Sequence, residues 1–186
     1  MSDQNEEALE PSERVARCLV FPQFRDPDSG AFDVTQFLRF VGPKKHSAMS
    51  VGWRRYLPET SDVHAYGCRT AEHSNVEKKR RMGTDPVPLN TASHYLGFSE
   101  LEVEAIIAAS NTAYEVRVVH APEHGENAHC HIERIERQDL GKNFEKSSYR
   151  TAVVDRIARA LGVIERHVCS GDAMYADDLN GVIVEI

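Results

Sequence analysis

The chain has 186 residues, with 22 Lys+Arg against 29 Asp+Glu and a formal net charge of −7. Hydrophobic residues make up 41% and charged residues 27%, the balance of an ordinary globular protein. These values exclude collagen-like, disulfide-scaffold and bulk-disordered chains and a globally basic nucleic-acid binder. They predict one domain long enough to bury a real core.

Residues 1–14 are polar and acidic and contain Pro11, which predicts a disordered acidic tail. The start has no apolar run of leader type, and no window offers the ~20 apolar residues that a spanning helix requires. The expectation is therefore a soluble cytoplasmic protein that does not engage a membrane. Cys18, Cys68, Cys130 and Cys169 are scattered without a C-x-x-C pair, and in a leaderless chain they read as reduced thiols.

Val15 to Phe21 reads as a strand stopped by Pro22, and residues 25–30 (RDPDSG) as a turn. Val34, Phe37, Leu38 and Val41 recur at helical spacing, with Asp33 as a cap and Gly42-Pro43 as a stop, so a short helix is expected; a buried strand is its competitor. Two strands are expected at Val51–Leu57 and Val63–Cys68. Thr70–Arg81 is polar on every face, so a weak exposed helix or a loop is expected there. Thr84–Asn90, with two prolines, reads as irregular.

Ser99-Glu-Leu-Glu102 has the form of a capping box and predicts a helix running toward Asn111. Tyr114–His120 alternates with strand period. After the loop APEHGEN a second alternating run, AHCHIERI, predicts an antiparallel hairpin. Ser148 is placed to cap a helix whose stripe is Val153, Ile157, Ala160 and Leu161, with Gly162 beyond its end. An Asn180-Gly181 turn and a terminal strand over 182–186 complete the order. Regular βαβ alternation is absent. The expectation is a single α+β domain over 15–186, a largely antiparallel sheet packed by two or three helices.

Two groups of residues carry chemistry. His120, His124, His129 and His131 are four of nine histidines and fall within twelve residues. On a strand, residues i and i+2 share a face, so His129 and His131 point the same way and Glu133 continues that face. His120 could approach across the hairpin. His120, His129 and His131 would then hold a divalent metal: zinc with an open fourth position, or iron or manganese if a carboxylate joins. Without metal, His129 or His131 beside Glu133 or Glu126 could serve as a general base.

The second group is a basic segment. Between Arg39 and Met82 there are ten Lys+Arg against four Asp+Glu, a balance of +6 that leaves −13 for the rest of the chain. Trp53-Arg54-Arg55-Tyr56 interleaves aromatics with guanidiniums, Lys78-Lys79-Arg80-Arg81 is a second focus, and Lys44-Lys45 a third. Guanidiniums bind phosphates bidentately and aromatic faces stack bases, so an anionic ligand, nucleotide or nucleic acid, is one expectation. The same charges could instead dock on the acidic tail or on Glu100, Glu102 and Glu104.

Two functional expectations follow. The first is a binding or accessory module that engages a partner protein or an anionic ligand through Trp53, Arg54, Arg55, Tyr56 and the Lys78, Lys79, Arg80, Arg81 run. The second is a metal-dependent or histidine-dependent hydrolase, with phosphodiesters as the substrate class. It would work at the His120/His129/His131 hairpin with His129, His131 and Glu133 as catalytic groups.

Overall fold

The computed structural model describes residues 7–24, 32–43, 45–85, 87–88, 91–123, 125–137 and 147–170. The expected turn at 25–30, the terminal strand at 182–186, Lys44 and His124 lie outside the described residues. The fold is α+β, and its strands form a six-stranded sheet in the order β4-β5-β2-β1-β3-β6. In chain order the elements are β1 (Arg14–Phe21), α1 (Val34–Phe37), β2 (His46–Trp53), α2 (Thr60–Met82), β3 (His94–Glu102), α3 (Val103–Ile107), β4 (Tyr114–His120), β5 (His129–Glu136), α4 (Ser147–Arg159) and β6 (Glu165–Arg166). Pairs β1–β2, β2–β5, β4–β5 and β3–β6 are antiparallel. Among the described residues, no helix is long and apolar enough to cross a membrane.

The chain forms two compact units. The first takes Met1–Arg17, Leu38–Leu57 and Glu100–Gly162. Its centre is β5, flanked by β2 and β4. Val116, Val118, Val51, Met49, Cys130 and Ile132 are all buried and lie on one face by strand parity. α3 and α4 pack against β4, and α4 buries Val153 and Ile157, as its apolar stripe predicts.

The sequence predicts a disordered tail over 1–14, but the described part of that stretch is paired. Residues 1–6 lie outside the described residues, but Ala8 bridges Val119 in antiparallel fashion. The Leu9 amide donates to the Val118 carbonyl at 2.9 Å, and the His120 amide donates to the Glu7 carbonyl at 2.8 Å. β4 ends the sheet order and presents a row of backbone groups that need partners; residues 7–9 supply them and bury Leu9.

The second unit takes Cys18–Phe37, Pro58–Ser99 and Val163–Ile186. Here the structure corrects two expectations. Residues 63–68 are not a strand but the first turns of α2, a 23-residue helix that also absorbs the polar stretch 70–81. The Glu59 amide donates to the Asp62 carboxylate at its start, and Gly83, at φ 68°, closes its end by donating to the Lys79 carbonyl. Its buried stripe is narrow: Val63, Tyr66, Gly67 and Ala71. Second, Ser99 does not cap a helix. It is fully buried within β3, and the helical turn begins only after Glu102. Two short approaches shape this unit. A Cβ built on Gly97, at φ 139°, would overlap the Glu165 carbonyl where β6 crosses β3, and a Cβ on Gly67 would overlap the Tyr95 ring. Cys68 on α2 is closed to Cys169 in a disulfide, so the expectation of four reduced thiols is corrected for that pair; Cys18 and Cys130 are not disulfide-bonded.

Candidate functional site

The hairpin register decides which histidines meet. Val119 lies opposite His131, and His120 opposite Cys130; on β2, Ser50 lies opposite His131 and Gly52 opposite His129. Directly paired residues project to the same face of a sheet. His129, His131 and Glu133 therefore share one face with Ser50 and Val119, while His120 and Cys130 take the other. The His129 and His131 rings meet edge to face, with centroids 4.9 Å apart.

His120, expected as the third ligand, goes elsewhere. Its Nε2 donates to the Asn127 carbonyl at 2.7 Å, its ring stacks on Tyr56 at 5.6 Å, and it meets the edge of Trp53 at 5.0 Å. Glu123, in the loop before β5, takes its place. The Glu126 amide donates to the Glu123 carbonyl at 2.8 Å and the His129 amide to the Glu126 carbonyl at 3.2 Å, and this tight loop carries Glu123 back over the strand. The Glu123 carboxylate stands 4.0 Å from His129 Nδ1 and 3.8 Å from His131 Nε2. One ligand-type atom from each of Glu123, His129 and His131 lies within 4.8 Å of the others.

The Ala121 carbonyl, 2.7 Å from His129 Nδ1, can only accept, so Nδ1 carries the proton and Nε2 keeps its lone pair. Such a bond fixes the tautomer and orientation of a metal-binding imidazole. His129 is buried, while the Glu123 side chain is 49% exposed, so the group is walled on one side and open on the other. Two imidazoles and one carboxylate form a donor set suited to zinc or to non-haem iron or manganese.

Glu133 shares the face but not the cluster. Its side chain is 4% exposed, with Arg117 Nε at 2.6 Å from one carboxylate oxygen and His46 Nε2 at 2.8 Å from the other. Burial alone would raise its carboxyl, but the hydrogen bonds and charges of Arg117 and His46 outweigh that and hold it below the usual range. Both oxygens are committed, and its position opposite Arg117 gives it a partner other than His131. Burial pushes the neighbouring Cys130 thiol up to about 12, far from thiolate chemistry at neutral pH.

Most of the described basic residues singled out in the central segment have partners within their own unit. Arg54 Nε bonds Glu100 at 2.9 Å, and its guanidinium also donates to the Leu57 carbonyl. Arg55 pairs with Glu13 and lies 4.4 Å over the Trp53 ring, and Arg14 reaches Glu100 and Glu102. Trp53 is buried, so it offers no open stacking face; Tyr56 is half exposed, but its ring is stacked on His120. On α2, successive residues turn by about 100°, which spreads Lys78, Lys79, Arg80 and Arg81 around the helix. Lys78 turns inward to the Thr91 carbonyl at 2.7 Å and the Ser93 hydroxyl at 2.8 Å, Lys79 pairs with Asp85, Arg80 reaches Glu77 at 3.8 Å, and Arg81 is exposed.

Sequence reasoning named His129 and His131 but missed Glu123. A carboxylate six residues before H-x-H carries no fixed direction until the loop's own hydrogen bonds are known. Comparison of the chain with protein-family models, with curated proteins and with solved structures gives no match.

Proposed function

We propose that this protein is a divalent-metal-dependent hydrolase working at Glu123, His129 and His131. One observation carries the reading: three side chains of ligand type, two on β5 and one on the loop before it, each bring a ligand-type atom within 4.8 Å of the others, beside an open flank. A zinc ion held by Glu123, His129 and His131 would make water a nucleophile near neutral pH, since zinc lowers the pKa of water to about 7. The chain's own residues set the rest. Ala121 bonds His129 Nδ1, the nitrogen 4.0 Å from Glu123, so His129 would ligate through Nε2 or exchange that bond for the metal, and His131 and Glu123 would supply the other two ligands. Glu133, held as a carboxylate by Arg117 and His46, keeps a fixed negative charge on the same face.

The anion-binding module draws less support, because Arg54 and Arg55 already face Glu100 and Glu13. For the same reason neither guanidinium argues for a phosphodiester over another hydrolysable bond.

The test uses tag-free full chain with its disulfide closed. Zinc, manganese and iron(II) are titrated, and hydrolysis is followed on chromogenic carboxylic esters, phosphomonoesters, phosphodiesters and peptides. The expected result is one equivalent of metal and metal-dependent turnover of one substrate class, both lost in His131→Gln. Absence of bound metal, or of metal-dependent turnover on all four classes, overturns the reading.

A further inference from the structure

We infer that Cys68, His167 and Cys169 form a second metal site, taken up by zinc when the disulfide is reduced and opening on a cleft in the second unit. The cleft has a volume of about 1080 Å³, and its wall includes all three residues together with His64, Asn75 and His94.

The placement follows from the backbone. His64 and Cys68 are one turn apart on α2 and share a face. β6 pairs with β3 through Glu165 and Arg166, and the His167 amide extends that ladder by donating to the Leu96 carbonyl at 3.0 Å. Cys169, two residues on, returns toward α2 and reaches Cys68, with a Cα separation of 5.9 Å. His167 stacks on His64 with centroids 4.3 Å apart and rings 14° from parallel. The glycines at 67 and 97 permit this closeness, since a side chain at either position would collide with Tyr95 or with β6.

One donor atom from each of Cys68, His167 and Cys169 lies within 4.8 Å of the others, and all three residues are partly exposed. Two sulfurs and one imidazole are the softer of the two donor sets among the described residues, and softness favours zinc. Three protein ligands with a free fourth position are the arrangement of zinc sites that bind water or substrate. His64 is not among the residues whose ligand atoms converge, and its Nδ1 meets the Tyr95 hydroxyl at 2.9 Å. Cys68, His167 and Cys169 all line the cleft.

The chemistry balances with a dithiol as the named reductant. Its thiolate attacks one sulfur of Cys68–Cys169, the S–S bond breaks, and a second attack releases the reductant as a cyclic disulfide. Two electrons and two protons thereby pass to the two cysteines. Zinc then binds two thiolates and neutral His167, and two protons leave to solvent. A disulfide oxidant runs the sequence backward and expels the metal.

The experiment titrates cobalt(II), as a zinc surrogate, into the full chain. Reduced protein is expected to show thiolate-to-cobalt charge-transfer absorption saturating at one equivalent, and oxidised protein none. Zinc should bleach the band by displacing cobalt, and zinc added to the reduced metal-free chain should release two protons per ion. The band should survive Glu123→Gln with His131→Gln, a pair that removes only the other site; that arm separates this inference from the hydrolase reading. It should vanish in Cys169→Ser, and His167→Gln should weaken cobalt by at least ~10-fold. Reduced protein alkylated with iodoacetamide replaces Cys169→Ser if that variant fails to fold. No charge-transfer band in the reduced chain, a band that persists after alkylation, or a reduced chain that unfolds and is not refolded by zinc overturns the inference.

Discussion

His120 lies opposite Cys130 across the β4–β5 pair, so its ring joins Trp53 and Tyr56 on the face that His129 and His131 leave. That one register relation separates a ligand from a neighbour in sequence. In oxidised protein, His120→Ala is expected to leave zinc affinity within about twofold of the parent. Glu123→Gln and His131→Gln should each lower it by at least ~10-fold, as loss of a ligand must exceed the effect of outer partners. Competition against a chromogenic chelator measures both; His120→Ala behaving like His131→Gln would return His120 to the site.

Arg54 is largely shielded between Glu100 and the Leu57 carbonyl. Arg54→Ala should cost about 1 kcal/mol, more than an exposed pair and less than a fully buried one. Arg81→Ala, on the exposed flank of α2, should stay within about 0.5 kcal/mol of zero. Urea midpoints distinguish the two. If single-stranded RNA bound the parent at physiological salt and Arg54→Ala abolished it, the Glu100 pairing would not be the guanidinium's main partner.

Gly97 and Gly83 both have positive φ, but only Gly97 faces a wall, the Glu165 carbonyl. Gly83→Ala should cost about 1 kcal/mol of backbone strain. Gly97→Ala adds displacement of β6 and should cost at least ~2 kcal/mol. Denaturation with the disulfide intact compares them, and equal costs would mean that β6 gives way freely.

Burial, reinforced by the like charge of Arg81, holds the Lys78 ammonium below the ordinary lysine range. The folded chain therefore releases this proton at a lower pH than the unfolded chain, whose lysine pKa is about 10.4. The burial penalty is fully present at neutral pH and is relieved as pH rises through the folded value toward the unfolded one. Lys78→Met loses the bonds to Thr91 and Ser93 and should be about 1 kcal/mol less stable at pH 7. The gap between parent and variant should widen in the parent's favour toward pH 10; a gap that stays flat would show Lys78 to be solvated.

Strand period made β4 legible, since Tyr114, Val116 and Val118 are buried and alternate with the more exposed Glu115 and Arg117, whereas β5, paired on both sides, is buried on both faces over much of its length and kept only its sequence alternation. α2 was not legible as one helix. Val63 and Tyr66 favour strands, and the polar half after Thr70 shows little stripe, because polar side chains there, Ser74, Asn75 and Lys78, reach Thr91 and Ser93 just before β3. Ser99 misled for the opposite reason. The S-x-x-E pattern is local, whereas β3 is buried on both faces from His94 to Ser99 and shows no alternation. The histidine pair was readable from parity, but Glu123 was not, since loop curvature depends on backbone bonds that no spacing encodes. The docking of Arg54 and Arg55 on Glu100 and Glu13 matches the internal docking that the charge split also allowed, with Glu13 drawn from the expected tail.

The Cys68–Cys169 link joins residues 101 apart, and every residue of the Glu123/His129/His131 group lies inside the ring it closes. In the chain-entropy picture, a closure of ~100 residues removes roughly 4.7 kcal/mol of freedom from the unfolded ensemble. A zinc bridge between the same two sulfurs closes the same ring. Exchange of one clasp for the other would change the chemistry at the cleft while leaving the topological constraint on the hairpin in place.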